Sequence, residues 1–136
     1  MSAYVFPVSN LTAAGETRES TVKILVVDDE VAAGASLGNA LRQLGHVPVL
    51  ACHPHDALDL LAFDVDAVVT DIEMPEMNGV ELARAIRALR NDLPIVFCTG
   101  SDPADILVRQ AASIGPVYSK AWTLAAIKEL LSDLDR

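Results

Sequence analysis

Basic residues are scarce in this chain: ten Lys and Arg stand against nineteen Asp and Glu, for a net charge of −9. A non-specific hold on nucleic acid or on an anionic membrane surface needs clustered Lys and Arg, so neither is expected. Cations remain suitable partners. Long apolar runs are missing too: the longest are strand-sized, so no membrane-spanning helix is expected. The opening "MSAYVFPVSN" has neither a basic segment nor a long apolar core, so no secretory signal is expected. With no export signal expected, the acceptor pattern Asn10-Leu11-Thr12 is not expected to be glycosylated. Two cysteines, Cys52 and Cys98, make no disulfide framework and suit a reducing cytoplasm. Histidine is equally thin. His53-Pro54-His55 has no matching Cys or His cluster, and its proline points to a surface turn at a helix start.

What is present is alternation. With 136 residues the chain has the length of one domain and enough material for a real core. From Lys23 onward short apolar runs exchange with longer amphipathic stretches. "KILVV" (23–27), "VPVLA" (47–51), "DAVVT" (66–70), "PIVFC" (94–98) and "PVYS" (116–119) read as strands. Most lack polar alternation, as parallel strands covered on both faces do. Helices are expected over 31–44, 54–62, 79–90, 103–113 and 122–134. Gly45 is placed to close the first, and Asp102-Pro103 reads as an N-cap followed by proline at the first helical position. Trp122 is expected to pack the fifth helix. Residues 1–22 stand apart as an N-terminal extension, an apolar cluster from Tyr4 to Val8 followed by a polar, alanine-rich segment. They are expected to be loosely held, or to dock Tyr4–Val8 on the domain or on a second copy.

Five strand–helix units predict an α/β fold, a doubly wound five-stranded parallel sheet with helices on both faces and right-handed crossovers. The flavodoxin-like order 2-1-3-4-5 suits this size best. Cys52 and Cys98 would then lie three strand spacings apart, about 14 Å, beyond disulfide reach. In such sheets ligands bind beyond the carboxyl ends of the strands, where strand order reverses. Strand one ends in Asp28-Asp29-Glu30 and strand three in Asp71. If these strands are neighbours, Asp28, Asp29 and Asp71 converge. Two unit charges near 5 Å repel by roughly 3 kcal/mol at an effective dielectric of about 20. Such a cluster needs a proton, a basic partner or a metal, and oxygen-only ligands favour Mg²⁺. Thr99, beside the small Gly100, follows strand four, and Lys120 follows strand five. A hydroxyl donor and an ammonium facing a metal-bound carboxylate form a receptacle for a phosphoryl group, with Asp71 as nucleophile. Singly, each residue has a plainer role: a helix cap, a turn opener, a solvated side chain. Jointly, acids, hydroxyl and lysine at four strand ends on one edge make a specific pattern.

These residues resemble the receiver domain of two-component response regulators over roughly 23–136. "ILVVDDE" matches the family's first strand and acidic pair, and "DAVVTDIEMPEMNGVEL" its phosphorylation segment. "LPIVFCTGS" matches the switch-threonine strand and "YSKAW", in part, the lysine strand. The resemblance implies that Asp71 takes a phosphoryl group from the phosphohistidine of a histidine kinase or phosphotransfer protein. It implies Mg²⁺ held directly by Asp29 and Asp71, through water by Asp28, and by the backbone carbonyl of Glu73. Thr99 would swing toward the phosphoryl group and Lys120 would pair with it. A downstream protein would bind the face of helix four, strand five and helix five, where Asp105, Arg109, Lys128 and Glu129 are expected to be exposed. Homodimerisation is a further expectation.

The chain departs from the family after the lysine, where Ala121 replaces the usual proline, and three residues before it, where Val117 takes the place of the switch aromatic and Tyr118 follows. The loop at Gly115-Pro116 is also short. Glu73, two residues past Asp71, is expected to meet the phosphoryl group or attacking water and so change the lifetime of the phosphorylated form. A single-domain receiver without a DNA-binding output after Arg136 is the leading expectation. The alternatives are a degenerate receiver serving as a protein-binding scaffold and, more remotely, an Asp-nucleophile phosphohydrolase. The latter calls for D-x-D where this chain reads Asp71-Ile72-Glu73.

Overall fold

The computed structural model describes residues 21–120 and 123–134. The expectations for Tyr4–Val8 and for Trp122 lie outside the described residues. The elements run β1 (Lys23–Val27), α1 (Val31–Gln43), β2 (Val47–Ala51), α2 (Pro54–Leu60), β3 (Ala67–Asp71), α3 (Gly79–Leu89), β4 (Ile95–Thr99), α4 (Ile106–Ala112), β5 (Val117–Ser119) and α5 (Leu124–Leu134). All strands pair in parallel, in the order β2-β1-β3-β4-β5. The expected doubly wound α/β sheet is therefore the observed one.

Strand alternation divides the core into two layers. Leu25, Val27, Val68, Ile95 and Phe97 face α2, α3 and α4, packing with Ala57, Leu82, Ile86 and Val108. Ile24, Val26, Val69, Val96 and Cys98 face α1 and α5, packing with Leu37, Leu41, Ile127 and Leu130. β3 and β4 are buried along their whole length, which is why their sequences carry unbroken apolar runs.

Helix ends follow local chemistry. Gly45, at φ 92, closes α1: its N–H donates to Arg42 O, and His46 N–H to Leu41 O, a Schellman motif. The fourth helix corrects the reading at Asp102-Pro103. Asp102 accepts from Ala104 N–H at 2.8 Å, folding a turn on itself, and Asp105 instead caps α4 through Leu107 N–H at 2.9 Å. α2 ends at Leu60, two residues early, because Leu61 and Ala62 turn back onto Leu58 and Asp59 in tighter three-residue steps. Asn78 and Glu81 form a reciprocal capping box at the start of α3.

Gly79 lets that helix start directly behind the end of β3. Its N–H donates to Ile72 O at 2.7 Å, and a Cβ there would lie 2.2 Å from Asp71 O. Gly79→Ala is therefore expected to destabilise the fold by about 1–3 kcal/mol through overpacking. Urea denaturation measures this; an unchanged midpoint would mean that α3 moves away without cost.

Candidate functional site

Alternation also sorts the polar side chains at the carboxyl edge of the sheet. Asp71 continues the phase of Ala67 and Val69, and Asp28 and Lys120 continue those of Val26 and Tyr118, so all three fall on the α1–α5 side. Thr99 continues the phase of Ile95 and Phe97 and falls toward α3 and α4. The sheet order brings β1, β3, β4 and β5 side by side, so these side chains converge on one crevice.

Asp28, one residue beyond β1, is buried, and its Oδ1 accepts the N–H of Glu30 at 2.9 Å. Carboxylate oxygens of Asp28, Asp29 and Asp71 all lie within 4.8 Å of one another. Asp71 is 2 % exposed. Lys120 Nζ stands 3.0 Å from Asp28 Oδ2, 3.1 Å from Asp71 Oδ2 and 3.4 Å from Glu30 Oε1. The ammonium is thus the basic partner that the acidic cluster requires. The Glu30 contact was not legible in the sequence, because it depends on the rotamers of two long side chains.

Burial drives the Asp71 carboxyl up to about 7; Lys120 pulls it down by hydrogen bonding and charge, while the neighbouring Asp28 and Asp29 carboxyls add to the rise. For Lys120, burial favours the neutral form, but hydrogen bonds and charge from Asp28 and Asp71 outweigh it and hold the ammonium above its usual range. Burial, with Asp71 and Asp28 nearby, lifts the Cys98 thiol far above its ordinary value, so it stays protonated and inert. Cys52 and Cys98 are both free.

A family model for the response regulator receiver domain matches residues 24–131. The chain belongs to the response regulator receiver family. It is 38 % identical over 119 residues to a "Chemotaxis protein CheY homolog" of Campylobacter jejuni, covering 83 % of this chain and 92 % of that protein. It is 45 % identical over 82 residues to the "Response regulator MprA" of Mycolicibacterium vanbaalenii, where the match spans 60 % of this chain and 36 % of the relative. Among solved structures it is similar to the Thermotoga maritima response regulator TrrA, described in complex with Mg(2+)-BeF, with a TM-score of 0.72 and 29 % identity over 84 % of this chain and 99 % of that one. A CheY-like receiver domain from Methylobacillus flagellatus gives a TM-score of 0.75 at 25 % identity, over 85 % and 99 % of the two chains.

Within this receiver, the chemistry of the donor set fits a hard divalent cation. The carboxylates of Asp28, Asp29 and Asp71 offer oxygen only, and Asp71 Oδ1 is buried with no hydrogen-bond partner, leaving a lone-pair site without a donor. The threonine has a different neighbour. Thr99, itself 5 % exposed, donates its hydroxyl to Glu73 Oε1 at 2.9 Å, with Oε2 at 3.2 Å, and accepts the Ser101 N–H at 2.9 Å. Sequence reasoning singled out Glu73 but missed this bond, which depends on a side-chain rotamer across the crevice.

The receiver's strand β5 settles where its aromatic points. Tyr118 packs on the α1–α5 layer and its hydroxyl donates to Asp133 of α5, while Val117 packs on the α4 side. The position facing α4 is therefore aliphatic. On the outer surface Asp105, Arg109, Lys128 and Glu129 are exposed, as expected, together with Ile106 and Leu124. Among the described residues no helix is long and apolar enough to cross a membrane.

Proposed function

We propose that this receiver is a phospho-accepting switch in a two-component phosphorelay, with Asp71 as the acceptor. The observation that carries the reading is a buried Asp71 whose Oδ1 has no partner while Lys120 holds Oδ2 at 3.1 Å. An Asp71 carboxylate oxygen attacks the phosphorus of a phosphohistidine on a histidine kinase or histidine phosphotransfer protein. The P–N bond breaks, its electron pair stays on the imidazole nitrogen, and that nitrogen takes up a proton. Lys120 stands ready to pair with the transferred group, and Thr99 can donate to one of its oxygens once released from Glu73. Asp28, Asp29, Asp71 and the backbone carbonyl of Glu73 would hold Mg²⁺. Bound there, the cation neutralises charge that would otherwise oppose the approach of an anion.

Residues 23–136 constitute the receiver and 1–22 an extension to it. A downstream protein binds the face of α4, β5 and α5, where exposed Ile106 and Leu124 accompany charged neighbours. A homodimer would use this same face. Net charge −9 supports neither a nucleic-acid nor a membrane partner, and the free cysteines agree with a cytoplasmic setting.

Incubation with Mg²⁺ and acetyl phosphate, followed by intact mass measurement, is expected to show one phosphate adduct in the wild type and none in Asp71→Asn. No adduct under any condition overturns the switch and leaves a protein-binding scaffold. Rapid turnover of many phosphate esters points to the hydrolase.

A further inference from the structure

Resting on the assignment of Asp71 as acceptor, we propose that Glu73 is a positioning residue that latches Thr99 in the resting protein. The latch must open before Thr99 can serve the phosphoryl group. A threonine hydroxyl carries a single donor proton. Here that proton goes to the Glu73 carboxylate, at 2.9 and 3.2 Å, and the oxygen accepts from Ser101 N–H at 2.9 Å. Thr99 is buried at the end of β4, so solvent offers it little else. A phosphoryl group on Asp71 presents acceptor oxygens only, so it competes with Glu73 for the same proton. Glu73 stands two residues past Asp71 and is half-buried, close enough to reach Thr99 yet free to swing outward into water. The carboxylate thereby acts as an internal stand-in for the acceptor that phosphorylation brings, and biases the receiver toward its resting arrangement.

A hydrogen bond to a charged acceptor is worth enough to shift the competing equilibrium about tenfold. Two measurements test the latch, and they fail separately from the phospho-acceptor reading. In chelator, without any phosphate, the NMR signals of the Thr99 methyl and the Ser101 amide are expected to move in Glu73→Ala. Unmoved signals overturn the latch whether or not Asp71 accepts phosphate. The second measurement titrates beryllium fluoride with Mg²⁺ as an equilibrium probe of the same site. Glu73→Ala is expected to bind it about tenfold more tightly than the wild type. In a Thr99→Val background, where no proton is left to compete for, the gain should fall below about twofold. A full gain persisting there assigns the effect to the negative charge of Glu73 alone and overturns the latch. Glu73→Gln, which keeps an acceptor without the charge, is expected to lie between wild type and Glu73→Ala. If no variant binds the probe, the acceptor reading fails, and the resonance comparison still decides the latch.

Discussion

Asp71→Asn is expected to unfold at a higher temperature than the wild type at pH 8 in chelator, and to lose that advantage as the pH falls toward 4. The folded carboxyl sits at about 7 against an ordinary value of 3.8, mainly because it is buried at the end of β3. Below the ordinary value the group is protonated in both states and contributes no pH-dependent difference. Between 3.8 and about 7 the unfolded chain releases a proton that the folded chain keeps, so stability declines as pH rises. Above about 7 the penalty is complete and constant. Its ceiling is about 4 kcal/mol, and the Lys120 contact that the amide weakens offsets part of the gain. A net stabilisation of about 1–3 kcal/mol, or roughly 5–10 °C, is the expected reading at pH 8. Thermal melts of both proteins at intervals from pH 4 to 8 measure it. Parallel curves, with the same difference at every pH, would show that Asp71 does not titrate in this window.

The same burial explains what could be read from the sequence and what could not. A strand covered on both faces must be apolar at every position, so β3 and β4 announce themselves as runs, and an acid ending such a run stands out. Hence Asp28, Asp71, Thr99 and Lys120 could be assigned to strand ends, and strand order then places them together. What pairs with what across the crevice was less legible. The Lys120–Glu30 and Thr99–Glu73 contacts rest on rotamers of long side chains, which have no periodic signature. The start of α4 differs from expectation, because its approach carries two Asp capping signals and Asp102 is committed to its own turn with Ala104. The Asn78–Glu81 capping box is written in the sequence as N-x-x-E. Tyr118 illustrates the period-two rule: an offset of one residue sends the ring to α5 and leaves Val117 facing α4.

Lys120→Met should give the opposite result to Asp71→Asn: a loss of about 3 kcal/mol at pH 8 in chelator, because two buried carboxylates are left without their cation. Methionine keeps much of the side chain's length and apolar stem, so packing changes little and the missing charge dominates. Only Glu30, of the three acids, is free to turn into solvent; Asp28 and Asp71 are held at the sheet edge, 6 % and 2 % exposed. If the loss comes from their repulsion, adding Asp71→Asn to Lys120→Met should recover most of it, a coupling that independent sites would not show. The same geometry predicts how the variant answers a metal. The ammonium lies 3.0 Å from Asp28 and 3.1 Å from Asp71, among the oxygens a divalent cation would use, so the two charges oppose each other. Removing the ammonium is therefore expected to tighten Mg²⁺ binding about tenfold, an increment of about 1.4 kcal/mol. Added Mg²⁺ should then restore more stability to Lys120→Met than it adds to the wild type. Denaturant titrations of the two proteins and the double variant, each in chelator and in Mg²⁺, give all of these quantities. Wild-type stability in Lys120→Met without metal would show that the acids at this edge do not depend on the lysine.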